Sequence, residues 1–502
     1  MASQTADRGT AEADPEPASD DAHGLPRALA LTLASAFVWG VAHLWSGRRV
    51  AGGVLLGVFV ALGIGAAVAA ALYRDELIEL AVQPDWLSAM VGGLVLLGLI
   101  WITVVVHSYQ TVRPGALSPA GHIAGGTVVA LLCFGVAVPV AWSAYNTYVA
   151  RDALTSIFRS GNNNGRHIDA SDPWKNQPRV NILLLGGDAA ANREGVRTDS
   201  MTLASVDTKS GDTVLLSLPR NLENFPMPEG PARNRFPYGF TGDGAGTPGL
   251  LNEVYQYAEE HPDMVPGAVK NQRGPELLRK TISGILGMPV DYYILVDMFG
   301  FADIIDAMGG VKVKIPEPIP YGQQGAILAA GERTLGGKEA LWYGRSRTNS
   351  DDYTRMGRQK CLMRAIAKQA DPQTILTKFD RLAAATKRAL STDIPQELLP
   401  ALISLSKRVK GGAKINSLQF VPPLVSTGNP DLAMIRRLAA KAVQGSPGDA
   451  TTSPSTTSRP TTSSPSPSTS TGPSTGPGGT SPSPSASPTS QTKPVSLDAT
   501  CP

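Results

Sequence analysis

The segment DYYILVDMFGFADIIDAMGGVKVKIP, residues 291–316, changes its apolar rhythm twice in a short span. It opens as a compact apolar strand. Phe301, Ile304, Ile305 and Met308 then fall at helical spacing, Gly309 and Gly310 stop the helix, and Val311 onward resumes as a strand. Strand, helix and strand in succession predict an α/β fold, with a central mixed β-sheet sandwiched by helices. Upstream, VNILLLGGD (180–188) is a continuous apolar run closed by glycines, the pattern of a buried strand. SMTLASVDTKSGDTVLLSLPR (200–220) reads as two strands joined by a polar turn at Thr208 to Asp212.

Composition divides the chain sharply around this domain. Residues 1–26 are polar, acidic and Pro-containing, a tail with too little apolar surface to offset its chain entropy and with no apolar core of a cleavable signal peptide. Residues 27–145 form a membrane region with up to four helices, on apolar segments at 28–45, 50–73, 87–106 and 122–142. Arg48, Arg49 and Arg113 fall in loops that become cytoplasmic if everything after 145 lies outside. Asp75, Glu76, Glu79 and Asp85 then sit outside, in accord with the positive-inside bias. The first segment is the shortest and carries Gly40 and His43, so it reads as either a spanning or a re-entrant helix. Residues 146–175 read as a linker, 176–445 as one globular catalytic domain, and 446–502 as a disordered Ser/Thr/Pro-rich tail.

The formal net charge of +3 excludes a surface built throughout for nucleic acid, and no nucleic-acid partner is expected. Three cysteines, Cys133, Cys361 and Cys501, are widely spaced and read as neither a disulfide framework nor a zinc set. GERTLGGKE (331–339) fails as a nucleotide-binding loop, because Glu339 stands where Ser or Thr is required.

Charge concentrates instead in LWYGRSRTNSDDYTRMGRQK (341–360), which holds Arg345, Arg347, Arg355 and Arg358 around Asp351 and Asp352. From Thr354 the sequence is helix-like, with Arg355, Arg358 and Gln359 near one end of a face and Asp352 where an N-cap is expected. Guanidinium forks suit carboxylate or phosphate oxygens, so four of them at a helix N-terminus point to an anion site rather than to surface ion pairs. Asp188, Arg197, Asp199 and Arg220 lie at or near the ends of predicted strands, where α/β sheets commonly bind ligands. Carboxylates beside a polyanion call for a bridging cation, Mg²⁺ (or Mn²⁺), and the combination is that of phosphoryl transfer.

These residues also carry a likeness. NILLLGGD, VRTDSMTLASVD, LLSLPRN, LNEVYQYA, the 291–313 segment and ALWYGRSR followed by DDYTRMGRQK occur in the order seen in LytR-CpsA-Psr proteins, so the chain resembles that family over about 176–370. The resemblance implies a phosphotransferase facing away from the cytoplasm. Such an enzyme moves a glycopolymer from a polyprenyl-diphosphate carrier to peptidoglycan by phosphodiester formation, with the prenyl chain in an apolar tunnel. It implies Asp188 and Asp199 as metal carboxylates, and Arg197, Arg220, Arg345, Arg347, Arg355 and Gln359 as diphosphate ligands. Asp199, Arg220 and Asp352 are then the catalytic set, with Asp352 orienting arginines or taking the acceptor proton; Arg358 is able to face away. Asn221 and Lys360 depart from the family pattern, which there has Asp and Gln. The Ala-, Gly- and Val-rich membrane region and the Ser/Thr/Pro tail resemble actinobacterial members, implying a teichoic acid-like or arabinogalactan-like cargo. A non-catalytic membrane sensor of polyprenyl-diphosphate precursors is the alternative reading.

Overall fold

The computed structural model describes residues 21–115, 117–158, 173–175, 177–188, 196–244, 249–322, 325–348, 350–369, 379–445 and 493–501. It divides into two compact units, Met1–Thr155 and Ser156–Pro502.

The first unit is helical: α1 (Asp21–Phe37), α2 (Val41–Trp45), α3 (Arg49–Leu72), α4 (Arg74–Leu80), α5 (Pro84–Val112) and α6 (Pro119–Ile157). Three of these, α3, α5 and α6, are long and apolar enough to cross a membrane. The segment 28–45 is not one helix. Gly40, at φ 92°, breaks it into α1 and the one-turn α2, because only glycine enters the left-handed region without a steric penalty. Ser35 Oγ accepts the Ala42 N–H at 2.8 Å across this break. Helix α6 continues to Ile157, into the stretch read from sequence as linker.

The second unit is built on a sheet of seven strands. In chain order come β1 (Arg179–Asp188), β2 (Arg197–Asp207), β3 (Thr213–Leu218), the short α7 (Pro231–Arg235), α8 (Val254–Glu260), α9 (Arg273–Leu286), β4 (Tyr292–Asp297) and α10 (Met298–Met308). Then follow β5 (Val311–Ile315), β6 (Ile319–Tyr321), β7 (Ala326–Leu328), β8 (Gly331–Leu335), α11 (Gly337–Arg345), α12 (Asp352–Gln369) and α13 (Phe379–Ala389). The remainder is β9 (Leu390–Thr392), α14 (Leu399–Lys410), β10 (Ile415–Gln419), α15 (Leu432–Gln444), β11 (Val495–Ser496) and the single turn α16 (Leu497–Thr500).

The sheet order is β11-β10-β3-β2-β1-β4-β9. Pairs β1/β4 and β3/β10 are parallel and the others antiparallel, so the sheet is mixed, as the sequence predicts. The strand after Gly309 and Gly310 does not join it. Both glycines have φ above 90°, and β5 pairs with β8 in a separate two-stranded sheet.

The two faces of the central sheet are packed differently. Leu183, Leu185, Met201, Leu203, Leu216 and Tyr293 are buried on one face against α8, α9 and α15, which contribute Leu277, Leu278, Ile282 and Ile435. On the other face Leu184, Ile294 and Val296 remain only half-buried. The helices on that side instead gather around a second core of Ile305, Val311, Ile315, Leu335, Tyr343 and Leu362. The sheet and this second core thus leave a gap between them.

Two expectations are corrected by the far end of the chain. Residues 446–492 lie outside the described residues, but 493–501 do not behave as a tail. β11 pairs antiparallel with β10, Leu497 is buried against Ala204 and Leu215, and Cys501 forms a disulfide with Cys361 on α12. The cysteines therefore do supply a bridge, across a sequence separation of 140. Closing so long a loop removes entropy from the unfolded chain, about 5 kcal/mol in the loop-closure account.

Gly300 marks a close helix contact, where a Cβ would lie 2.2 Å from Ala389 Cβ and 2.4 Å from its Cα. Backbone, not a movable side-chain end, blocks that space. Gly300→Ala is expected to lower unfolding free energy by about 1–3 kcal/mol, measured by urea denaturation.

Candidate active site

The site begins with an irregularity in the β1/β2 ladder. Gly186 pairs with Ser200 and Gly187 with Thr198, which leaves Asp199 as the extra residue of a β-bulge. A bulge re-aims the side chain it inserts, and here Asp199 and Ser200 both line the gap below the sheet.

Arg220, just beyond β3, spans that gap. Its Nη1 donates to Asp199 Oδ1 at 2.7 Å and its Nε to Asp352 Oδ1 at 3.2 Å, so one guanidinium ties the sheet to the first residue of α12. Burial works against the Arg220 charge, and the Asp199 and Asp352 carboxylates outweigh it, holding its pKa above the ordinary value. Arg355 completes the ring: Nη2 donates to Asp352 Oδ2 at 3.0 Å and Nη1 to the Asp199 carbonyl at 3.0 Å. Arg355 is only 4% exposed, and its Nε has no partner among the described residues. Arg345, in the last turn of α11, donates to Asp188 Oδ2 at 3.2 Å.

The cavity these residues border has a volume of about 710 Å³. Its polar lining includes Asp199, Ser200, Thr202, Arg220, Arg345, Arg347, Arg355 and Gln359. Strand register separates this from an apolar part. Thr202 and Ser200 on β2 lie opposite Leu184 and Gly186 on β1, which lie beside Ile294 and Val296 on β4. Polarity therefore falls from β2 to β4, and Met298, Phe301, Leu341, Met363 and Ile366 extend the apolar end. A cavity lined in this way suits a molecule with one charged end and one hydrocarbon end.

Most of the residues singled out from sequence converge here, and some take other roles. Asp351, not Asp352, caps α12, its Oδ1 accepting the Thr354 N–H at 2.7 Å. Asp352 is thereby free to hold Arg220 and Arg355, with both oxygens engaged. Arg347 is exposed and lines the cavity from the loop before α12. Gln359 lines it too, while its amide donates to Gly344 O at 3.0 Å and fastens α12 to α11. Arg197 is not brought in: it is exposed at the start of β2, opposite Asp188 and beside residues 189–195, which lie outside the described residues. Arg358 turns to the 346–350 loop, donating to Ser346 O and, at 3.1 Å, to Ser350 Oγ. Burial holds its pKa below the ordinary arginine value.

Sequence reading missed the hydroxyls of Ser200 and Thr202 and the whole apolar end. Thr202 Oγ1 lies 3.0 Å from Ser217 Oγ on the neighbouring strand. Alternating Leu183, Leu184 and Leu185 within one apolar run carry no mark of which faces a core and which a cavity.

Carboxylate oxygens are hard donors suited to Mg²⁺. Asp188 and Asp199 come from adjacent strands, and Asp199 Oδ2 has no protein partner among the described residues. No group of three His, Cys, Asp or Glu able to hold a metal occurs among those residues. An ion here would take one or two protein carboxylates and complete its shell from ligand oxygens and water, which is the habit of Mg²⁺.

The model of the LytR_cpsA_psr family matches residues 146–433. The chain belongs to this family. Among curated LytR-CpsA-Psr relatives, it is 27% identical over 263 residues to the polyisoprenyl-teichoic acid–peptidoglycan teichoic acid transferase TagU of Bacillus cereus (strain ZK / E33L), covering 51% of this chain and 74% of that protein. The protein of the same name from Halalkalibacterium halodurans is 26% identical over 306 residues, 60% of this chain and 86% of the relative. Among solved structures, a LytR-Csp2A-Psr enzyme from Actinomyces oris aligns at TM-score 0.36 and 22% identity, over 52% of this chain and 89% of that one. Protein gbs0355 of Streptococcus agalactiae aligns at 0.41 and 21%, over 54% and 90%.

Removing the Arg220 side chain leaves Asp199 and Asp352 facing one another with their shared countercharge gone. Arg220→Ala is expected to cost roughly 1.5–3 kcal/mol of stability at neutral pH. Arg220→Lys should recover less than half, since one ammonium cannot reproduce the fork. Adding Asp352→Asn to Arg220→Ala should restore part of the loss. Urea denaturation of the three variants checks the order.

Proposed function

We propose that this protein is a membrane-anchored phosphotransferase that moves a glycopolymer from a polyprenyl-diphosphate carrier to peptidoglycan by phosphodiester formation. The observation that carries the reading is a single cavity with guanidinium groups at one end and apolar side chains at the other. A diphosphate fits the first and a prenyl chain the second. The names of the TagU relatives, which speak of a polyisoprenyl-linked teichoic acid and peptidoglycan, support the same substrates. The cargo class is teichoic acid-like or arabinogalactan-like.

In this reading Arg220, Arg345, Arg347 and Arg355 meet the diphosphate, and charge-assisted hydrogen bonds contribute about 1.5–3 kcal/mol each. The present carboxylate partners of Arg220, Arg345 and Arg355, namely Asp188, Asp199 and Asp352, keep those three oriented before substrate arrives. Asp188 and Asp199 would hold Mg²⁺, which supplies positive charge against the phosphate oxygens. The acceptor hydroxyl oxygen forms a bond to the glycan-bearing phosphorus, the bond from that phosphorus to the bridging oxygen breaks, and polyprenyl phosphate leaves with the electron pair. The hydroxyl proton passes to water. Asp352, with both oxygens held by arginines, acts as a positioning residue.

With α3, α5 and α6 as three crossings, Arg48, Arg49 and Arg113 would lie on the cytoplasmic side, in accord with the positive-inside bias, and residues after α6 outside. The donor there must arrive already activated, which a lipid-borne diphosphate does.

The full-length protein in lipid nanodiscs, given a prenyl-diphosphate-linked glycan, peptidoglycan fragments and Mg²⁺, is expected to yield a covalent phosphodiester adduct detectable by mass spectrometry. Asp199→Ala and chelation by EDTA should each abolish the adduct, and Mg²⁺ should restore only the chelated sample. Binding of the lipid diphosphate with no adduct from the wild-type protein would establish the non-catalytic sensor instead.

A further inference from the structure

The helix that carries Arg355 and Gln359 is packed mainly through its C-terminal half. Along α12 only two apolar side chains, Met356 and Leu362, are fully buried; Ala365 and Ile366 pack partly buried on the second core, and Gln369 bonds Lys312. Arg355 is buried on the same helix, and it disfavours the charge on Arg358 nearby. A helix loaded with guanidinium and with few fully buried apolar anchors gains from another constraint that keeps its donors in register with Asp199 on β2.

That constraint lies on the helix itself. Cys361, two residues beyond Gln359, is bonded to Cys501. Arg355 and Cys361 are separated by about 9 Å along the helix axis at 1.5 Å per residue. On the other side of the bond, α16 packs against α12 and Leu497 is buried on the sheet face that also floors the cavity. β11 continues the sheet beyond β10, pairing Ser417 with Val495 and Asn416 with Ser496. The segment 493–501 is therefore a strap that ties α12 to the sheet. The Ser/Thr/Pro stretch between Gln444 and Val495 is anchored at both ends, not at one.

We infer that the Cys361–Cys501 disulfide and the strap it closes are a positioning device for the arginine helix, so that oxidation of these two thiols completes the anion grip. The inference rests on the diphosphate reading for its functional consequence and on the geometry alone for its mechanical one. Formation is a two-electron exchange: the Cys361 and Cys501 thiols give up two protons and two electrons to a disulfide oxidant, which is reduced to two thiols, and one S–S bond forms. Such oxidants belong to compartments outside the cytoplasm. The grip would then be incomplete until the domain is exported.

The test uses the full-length protein in nanodiscs in a Cys133→Ser background, oxidised, or reduced and alkylated after folding, with Cys501→Ser as a second route to the open form. Hydrogen exchange is read first, because it needs no ligand. Amides of 352–369 should exchange about tenfold or more faster on opening, with β1, β2 and α9 unchanged. Binding of geranylgeranyl diphosphate should weaken about tenfold or more, and transfer should fall mainly through KM. In an Arg355→Ala background, opening the strap should have little further effect on binding, which a general loss of stability would not produce. Unchanged exchange in α12, uniform acceleration across the sheet, or an effect that persists without Arg355 would each overturn the inference. If the oxidised protein binds no lipid diphosphate at all, the functional reading fails while exchange in α12 still decides the strap.

Discussion

One guanidinium holds the two layers of the catalytic unit at a working distance. Arg220 bonds Asp199 on the sheet and Asp352 on α12, and it does so where no apolar core joins those layers. The sheet is packed tightly on its other face, and the helices α10 to α12 have a core of their own, so nothing apolar pulls the layers together over the gap. A cavity persists because its closure would desolvate five charged groups at once, among them Asp199, Arg220 and Arg355. Ion pairs of this kind are a poor source of stability but a good source of fixed geometry.

The same arrangement explains why the cavity has two ends. Neighbouring strands β4, β1 and β2 present Ile294, Leu184 and Thr202 in one row and Val296, Gly186 and Ser200 in the next. Gly186 keeps the second row open, since a Cβ there would sit 3.2 Å from Ser200 Cβ. The bulge then adds Asp199 to the polar end without disturbing Met201 and Leu203, which stay in the opposite core. A single inserted residue thus lets one strand serve a dry face and a charged one.

The fold was legible because periodicity reports burial: the strand, helix and Gly-Gly stop of 291–310 are where the sequence puts them, and β2 and β3 meet across the predicted turn. The charged end of the site was legible because Arg345, Arg347, Arg355 and Arg358 crowd into one short span at a helix start, where like charges need an anion between them. Its finer assignment was not. Counting by twos places Arg197 and Asp199 on one face, and a bulge that no residue type announces breaks that count. Asp351 and Asp352 are chemically identical candidates for the cap, and only the helix start at Asp352 separates them. The disulfide was hidden for a different reason: pairing cannot be deduced from spacing when 140 positions and a Ser/Thr/Pro stretch intervene.

Two features that share no residues point to one compartment. The first is the arginine bias of the loops around α3 and α5, which, if α3, α5 and α6 cross, would send everything after α6 outward. The second is a disulfide on α12, a bond that glutathione and thioredoxin would keep reduced in the cytosol. Charge bias acts during insertion and the disulfide only afterwards, so neither constrains the other. The break at Gly40 leaves this agreement untouched, because Arg48 and Arg49 follow α2, and a crossing ahead of them would change only the side on which the N-terminal residues lie.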